Sequence, residues 1–473
     1  MPLILPGNVA TATASTGYDV ANSCRFDGAD SLQRSKGTQS SLQKGTYSFW
    51  IKRTNIDGTQ HFVYSNSVDA SNKGYYSLRA DEKFRIVSDA SSGELVLETS
   101  QLLRDPTAWM HIVIRIDTTQ STAANRCIFY INGVAVTALD TTTYPDQNAN
   151  LKIFEGGETD KEFIGGMTGE TSNLHCYLAE FVFCDGQSLA PTSFGEFNED
   201  SPTIWQPIDV SGLTFGNQGF YLDFEDSSAL GNSSNSNNFG TVNNLTAIDQ
   251  CVDTCTNNFC TFNPLIKQDH AFSEGNLKYT SSASDWDCGI ATIPFSAGKW
   301  YMEQKITAVV GGIVRTGIGI CDVRDVNQIA EGEFGYQSSG VVGDTIGYND
   351  NAVHKNDSAQ SGSWGDMDNG DVAQMAVDLD NSAVYFGLNG TWGNSGDPTS
   401  GASKTGAIGF TAGQTYVSGA IGYGGGAVEQ NWGNPVSALS SGNADANGYG
   451  NFEYAPPSGY YALCTKNLGE FGG

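Results

Sequence analysis

The residues of this chain best suited to nucleophilic or metal chemistry are five histidines and ten cysteines, and their spacing argues against both. His61, His111, His175, His270 and His354 fall in unrelated contexts, and no Gly-x-Ser-x-Gly elbow or Gly-x4-Gly-Lys-Ser/Thr phosphate loop is present. In 251-CVDTCTNNFC-260, Cys251, Cys255 and Cys260 could join His270 around zinc. The two-residue cysteine spacing of a zinc knuckle is missing, so free thiols, a disulfide and a metal site stay open for these three. Cys127, Cys176, Cys184, Cys288, Cys321 and Cys464 lie in apolar stretches, where a thiol acts as a small hydrophobe. Asp223 and Glu225 in 221-YLDFED-226 are two apart on an expected strand and so share a face. They are the candidate pair for a glycosidase, which needs carboxyls roughly 5–5.5 Å or 6.5–9.5 Å apart. Outward carboxylates on a terminal strand explain them more simply, and no catalytic residue is assigned. In 366-DMDNGD-371, Gly370 stands where a calcium loop needs its fifth ligand and no Glu closes the motif, so turns account for these aspartates.

These residues sit in a chain of 473, long enough for two domains with cores of their own. Fifty-seven glycines and the absence of strongly helical runs point to an all-β protein with many turns. The 24 Lys and Arg against 52 Asp and Glu give a net charge of −28, which repels phosphate backbones and argues against nucleic acid. The most apolar run, 307-TAVVGGIVRTGIGI-320, is broken by glycines and Arg315, so no membrane insertion is expected. MPLILPGNVATATAS lacks the basic region of a secretory signal.

Two stretches, 127-CIFYINGVAV-136 and 383-AVYFGLNGTW-392, share one pattern: β-branched and aromatic residues run into Asn-Gly and out again, the signal of a tight hairpin. Around the first, Tyr47, Phe49 and Ile51 alternate onto one face. Met110, Ile112, Ile114 and Ile116 do the same, leaving His111 outward, and 128-IFYI-131 reads as a central strand. Around the second, Ala373, Met375, Val377 and Leu379 share a face, as do Val384, Phe386 and Leu388, with a two-residue turn expected at Asp380-Asn381. Between them, 227–255 is rich in Asn, Ser and Gly and reads as a linker or long loop. Two antiparallel jelly-roll sandwiches in series are therefore expected. Common ancestry of the halves does not follow, because the turn alone demands Asn-Gly.

In the first half, 22-NSCRFDGADSLQRS-35, 47-YSFWIKR-53, 109-WMHIVIRIDTTQ-120, 129-FYINGV-134 and 177-YLAEFVFCDGQSLAPTSFGEF-197 resemble the laminin G-like, concanavalin A-type jelly rolls of bacteriophage virion proteins. In the second, the Gly-Lys-Trp-Tyr-x-Glu strand at 298–303, the Gly-Ile-Gly strand, 335-GYQSSG-340 and the paired 370-GDVAQMAVDLD-380 and 384-VYFGLNG-390 resemble a SPRY domain. Met302 replaces a usual Trp, and Gln374 and Met375 replace a usual Gly and Val. The tail, 447–468, is similar to the closing segment of the same phage proteins. The implied organisation is an N-terminal arm over 1–20, a laminin G-like sandwich over 21–226, a linker over 227–255, a SPRY-like sandwich over 256–468 and a tail over 469–473.

The polar stretch 348-YNDNAVHKNDSAQSGSW-364 is expected to be a long loop at the binding end, with Tyr348, His354 and Trp364 as ligand-binding candidates and Trp392 as a fourth. The resemblance implies a non-enzymatic virion component, a tail fibre, knob or capsid appendage, assembled in the host cytoplasm. Its expected partners are other virion proteins and a host-surface glycan or receptor, in a symmetric homo-oligomer such as a trimer. It implies no cofactor beyond a structural calcium at a sandwich rim. The glucanase relatives of that fold would need a third carboxylate where Ser228 stands. A purely structural decoration protein and a polysaccharide-degrading hydrolase are the rival readings.

Overall fold

A computed structural model of the chain describes residues 17–69, 72–89, 94–156, 161–170, 174–266, 269–282, 284–309, 316–337 and 340–472. They form two compact units that divide at Thr256–Asn257. The protein is all-β, and each unit is an antiparallel sandwich. Among the described residues no helix is long and apolar enough to cross a membrane. Most of the expected N-terminal arm, 1–16, lies outside the described residues.

In the first unit one sheet runs Val134–Ala135, Cys127–Ile131, Met110–Asp117, Lys44–Arg53, His175–Asp185, Ser23–Asp27 and Gln250–Cys251. The facing sheet runs from Leu139–Thr143 through Leu95–Thr99, Phe84–Ser88, Asn72–Leu78, His61–Asp69, Lys161–Ile164 and Ser31–Ser35 to Thr241–Asn243. Period-2 alternation sends Phe49, Ile51, Ile112 and Ile114 into the core between them. The outer face of the first sheet is also dry, because the chain from 194 to 221 lays Phe194, Val210, Phe215 and Tyr221 over Val113 and Val182.

Three expectations for this unit are corrected, the first by this cover. His111 faces away from the core yet is 1% exposed, sandwiched between the rings of Trp50 and Trp205. Its Nδ1 accepts the Trp205 indole N–H at 2.9 Å, its Nε2 lies 2.8 Å from Ser48 Oγ, and burial pushes its pKa down to about 3. Cys127–Ile131 lies next to the sheet edge rather than at its centre. Residues 227–255 do not form a linker: Thr241–Asn243 extends one sheet, Gln250–Cys251 extends the other, Asp249 pairs with buried Arg25 at 2.9 Å, and Asp253 pairs with buried Lys52 at 2.7 Å. A polar composition read as loop is here the polar finish of two sheet edges.

Charge is also buried within this first core. Glu162 lies between Arg34 and Lys36, all 8% exposed or less, and accepts the Tyr64 hydroxyl. Burial alone would raise the Glu162 carboxyl, but the two cations and its hydrogen bonds outweigh it and hold it below its ordinary range.

In the second unit a nine-stranded sheet runs Ala271–Ser273, Lys278–Thr280, Ala427–Asn431, Lys299–Ala308, Val372–Asp378, Ala383–Leu388 and Thr391–Trp392, with Ile408–Gly409 and Tyr461–Ala462 attached. It faces a six-stranded sheet of Asp287–Ile290, Tyr416–Gly422, Thr316–Asp322, Thr345–Asn349, Ala352–Lys355 and Ser358–Ala359. In the last sheet Gly317 and Gly319 are required by close approach, since a Cβ there would stand 2.1 and 2.5 Å from the carbonyl oxygens of Tyr348 and Ile346. Met302 and Met375, two departures from the SPRY pattern, are cross-strand partners in the core. The link at Asp380-Asn381 is a four-residue loop, 379–382, because Asp378 pairs with Ala383. The expected tail is largely a short helix, Thr465–Phe471, whose Phe471 stacks on Tyr461.

The two Asn-Gly hairpins share more than their turn. Asn132 and Gly133 have φ of 47° and 75°, Asn389 and Gly390 of 49° and 80°, as a type I′ turn needs. Each Asn side chain then accepts a backbone N–H from the neighbouring strand, His111 at 2.7 Å and Val372 at 2.9 Å. Each Gly lies beneath an aromatic ring, Trp205 over Gly133 and Tyr454 over Gly390.

Candidate functional site

The four expected binding residues do not converge. Residues 348–364 form two successive hairpins rather than one long loop, through Thr345–Asn349, Ala352–Lys355 and Ser358–Ala359. Tyr348 and Trp364 are 0% and 3% exposed in the core, and the Tyr348 hydroxyl donates to the Trp364 carbonyl at 2.5 Å. Rings buried this way pack the sandwich and cannot meet a ligand. His354 is half-buried, stacked on Tyr336 at 4.7 Å, and burial lowers its pKa. Trp392 packs in a different cluster, edge-on to Tyr301.

The other candidates separate as well. Asp223 and Glu225 lie past the end of the Phe220–Leu222 strand. Phe224 between them has φ of 56°, and Asp223 accepts the Glu225 backbone N–H at 3.0 Å, so they belong to a turn and not to one strand face. No disulfide joins any of the ten cysteines. Cys251 and Cys255 pack with Trp50 and Tyr177, and Cys260 belongs to the core of the second unit. Among the described residues no group of three His, Cys, Asp or Glu side chains is placed to hold a metal ion.

A different site emerges on the outer face of the nine-stranded sheet. Along Lys299–Ala308, alternation sends Trp300, Met302 and Ile306 into the core. Tyr301, Glu303 and Lys305 therefore face outward. The segment from 433 to 462 crosses this outer face and is pinned there by Glu303. That carboxylate accepts the backbone N–H of Tyr454 at 2.7 Å, that of Glu453 at 2.8 Å and the Tyr301 hydroxyl at 2.8 Å. Tyr301 in turn accepts Gln374 Nε2 at 2.9 Å, and Gln374 Oε1 accepts the Gly390 N–H at 2.6 Å. Gln374, where a SPRY domain tends to have Gly, thus ties the Asn-Gly turn to the anchor. Burial raises the Glu303 carboxyl to about 7 despite the bonds it receives.

Beside this anchor lies a groove of about 290 Å³. Its lining includes Lys305, Glu429 and Asn431 from the sheet, Ser437, Leu439 and Tyr454 from the crossing segment, and Asn389 from the hairpin turn. Glu429 accepts the Ser437 hydroxyl, and Glu453 accepts the N–H and hydroxyl of Ser440. The Tyr454 ring is half-exposed and held by the Gly390 turn, where a Cβ would meet it at 2.8 Å. Hydrogen-bonding groups of both kinds, a few apolar side chains and one fixed aromatic ring suit a small polar ligand with an apolar face. Both oxygens of Glu303 are committed to the anchor, so it holds the wall and is not aimed at a ligand. The sequence signal for this site was the charged face of 299-KWYMEQKI-306, opposite its apolar one; the pairing with Tyr454 spans 151 positions and leaves no local trace.

No curated protein sequence matches the chain. Among solved structures, the SPRY domain of human HERC1 is similar at 15% identity and a TM-score of 0.28, over 36% of this chain and 96% of that one. A heptameric SAP-like pentraxin from Limulus polyphemus is similar at 13% identity and a TM-score of 0.27, over 37% of this chain and 80% of the other. Domains LG4-5 of the mouse laminin alpha1 chain are similar at 10% identity and a TM-score of 0.28, over 96% and 99%. At TM-scores this low, none of the three bears on what this chain binds. Residues 26–176 match the family model of the concanavalin A-like lectin/glucanases superfamily, so the first sandwich carries a laminin G-like, concanavalin A-like domain.

Proposed function

We propose that this chain is a non-enzymatic attachment protein of a bacteriophage virion, part of a tail fibre, knob or capsid appendage, and that its second sandwich holds a host-surface glycan. The observation that carries the glycan reading is the groove beside Glu303. It combines Lys, Glu, Asn and Ser side chains with the fixed ring of Tyr454, and its volume is close to the lower end for small-molecule sites. The virion assignment rests on the sequence resemblance of the first half and the tail alone, as do the expected homo-oligomer and other virion proteins as partners. A rim calcium remains part of the proposal for the laminin G-like domain.

A glycan array probed with the full chain and with Tyr454→Ala tests the reading. Binding by the first and its loss in the second is the expected result; an array on which the unaltered chain binds nothing would favour a purely structural decoration. The hydrolase reading is weakened by the turn geometry of Asp223 and Glu225 and by the committed oxygens of Glu303. Release of reducing ends from a host polysaccharide would restore it.

A further inference from the structure

We propose that the groove selects an uncharged pyranose, with two adjacent hydroxyls bridging Lys305 and Glu429 and its apolar ring face on Tyr454. This rests on the reading of the groove as a glycan site and narrows it to a chemical class. Lys305 and Glu429 are cross-strand partners on neighbouring antiparallel strands, so their side chains leave the same face of the sheet side by side. They nevertheless form no ion pair. Lys305 is exposed and unpaired among the described residues, while one Glu429 oxygen takes the Ser437 hydroxyl and the other has no hydrogen-bond donor.

An ammonium only donates and a carboxylate only accepts. A hydroxyl does both, so a pair of neighbouring hydroxyls can accept from Lys305 and donate to Glu429 while bonding to each other in sequence. Tyr454 supplies the complementary surface. Its ring is seated on the Gly390 turn, and the backbone behind it is fixed by Glu303, so little freedom is lost when a sugar face covers it.

The charge of the surroundings sets the class. Glu429 and Glu453 line the groove with Lys305 as its cation, and Glu303, partly ionised near neutral pH because burial raises it to about 7, adds to their negative charge, on a chain of net charge −28. An anionic sugar would meet one favourable charge and several opposing ones, whereas an uncharged sugar meets hydrogen-bonding groups without that cost.

Titration calorimetry of the full chain against methyl glucoside and methyl mannoside, their monodeoxy analogues, methyl glucuronoside and glucosamine decides the matter. Expected are measurable binding of a neutral glycoside that changes little with added salt, at least tenfold loss on removing one hydroxyl of the adjacent pair, and at least tenfold loss in Lys305→Met and in Glu429→Gln with unchanged melting temperatures. Tighter binding of the glucuronoside or glucosamine, deoxy analogues that bind equally, or indifference to both substitutions would overturn the selectivity while leaving a glycan site in place. If neither these glycosides nor the array glycans bind, the glycan reading itself fails.

Discussion

The Glu303 carboxylate accepts the backbone N–H of Tyr454 at 2.7 Å, joining the first long strand of the second sandwich to a segment near the end of the chain. It also takes the neighbouring N–H of Glu453, so one side chain satisfies two consecutive backbone donors. Glu303→Ala is expected to cost about 1–3 kcal/mol for each donor left without an acceptor in a dry setting. Urea unfolding gives the loss in stability. Limited proteolysis should show new cleavage between 433 and 454; an unchanged digestion pattern would refute the anchoring role.

The same carboxyl gives the protein a pH signature. Burial raises Glu180, Glu303 and Glu333 each from the usual 4.5 to about 7. Between those values the folded protein keeps protons that the unfolded chain has released, so their stabilisation is complete below about pH 4.5 and disappears as pH rises through 7. Asp57, which burial would raise but Thr59 and His61 hold at about 2, titrates below this window. Buried His111, lowered from 6.5 to about 3, works the other way up to about pH 6.5, but one imidazole stands against three carboxyls, so urea midpoints measured from about pH 5 to 8 should fall with rising pH, most clearly above 6.5, and Glu303→Gln should make the fall shallower. A midpoint that rises across this range would contradict the burial of these groups.

Gly390→Ala and Gly133→Ala are expected to be costly for the same two reasons. The turn holds both at positive φ, worth roughly 1–2 kcal/mol for an L side chain, and a new Cβ would lie 2.8 Å from the Tyr454 ring or 2.4 Å from that of Trp205. Gly58, with φ of 74° and open space around it, isolates the backbone share. Thermal melts should rank Gly58→Ala as the mildest of the three.

Glu162→Gln removes the charge between Arg34 and Lys36 in the first core. Two buried cations then face each other without an anion, and a loss of about 3–5 kcal/mol is expected. Replacing Glu162 together with Lys36 by apolar residues should recover part of it. Failure of the double variant to improve on Glu162→Gln would show that the pair itself is not the source of the loss.

Alternation made the two cores legible in advance: Phe49, Ile112, Met375 and Phe386 all point inward, because successive side chains of a strand leave opposite faces of the sheet. The Asn-Gly turns were equally clear, since few other pairs tolerate two successive positive φ values. What escaped was the second layer. His111 looked outward because nothing in 109–117 announces that Trp205, ninety-four positions on, closes over it. Tyr348 and Trp364 looked like binding rings because aromatic residues among polar neighbours resemble a rim, whereas their partners lie across the sandwich in Phe386 and neighbouring core residues. The groove was hidden for the same reason: Lys305, Glu429 and Tyr454 come from three separate parts of the chain, and only long-range pairing assembles them.

The strands at Thr241–Asn243 and Gln250–Cys251 carry a last implication, for where the first domain ends as an independent folding entity. A fragment stopping at residue 226 would expose the flanks of Ser31–Ser35 and Ser23–Asp27 to intermolecular strand pairing. It would also strand Arg25 and Lys52 in the interior without Asp249 and Asp253. Autonomy requires the chain through Thr256, and a polar stretch that looks dispensable is what makes the module self-contained.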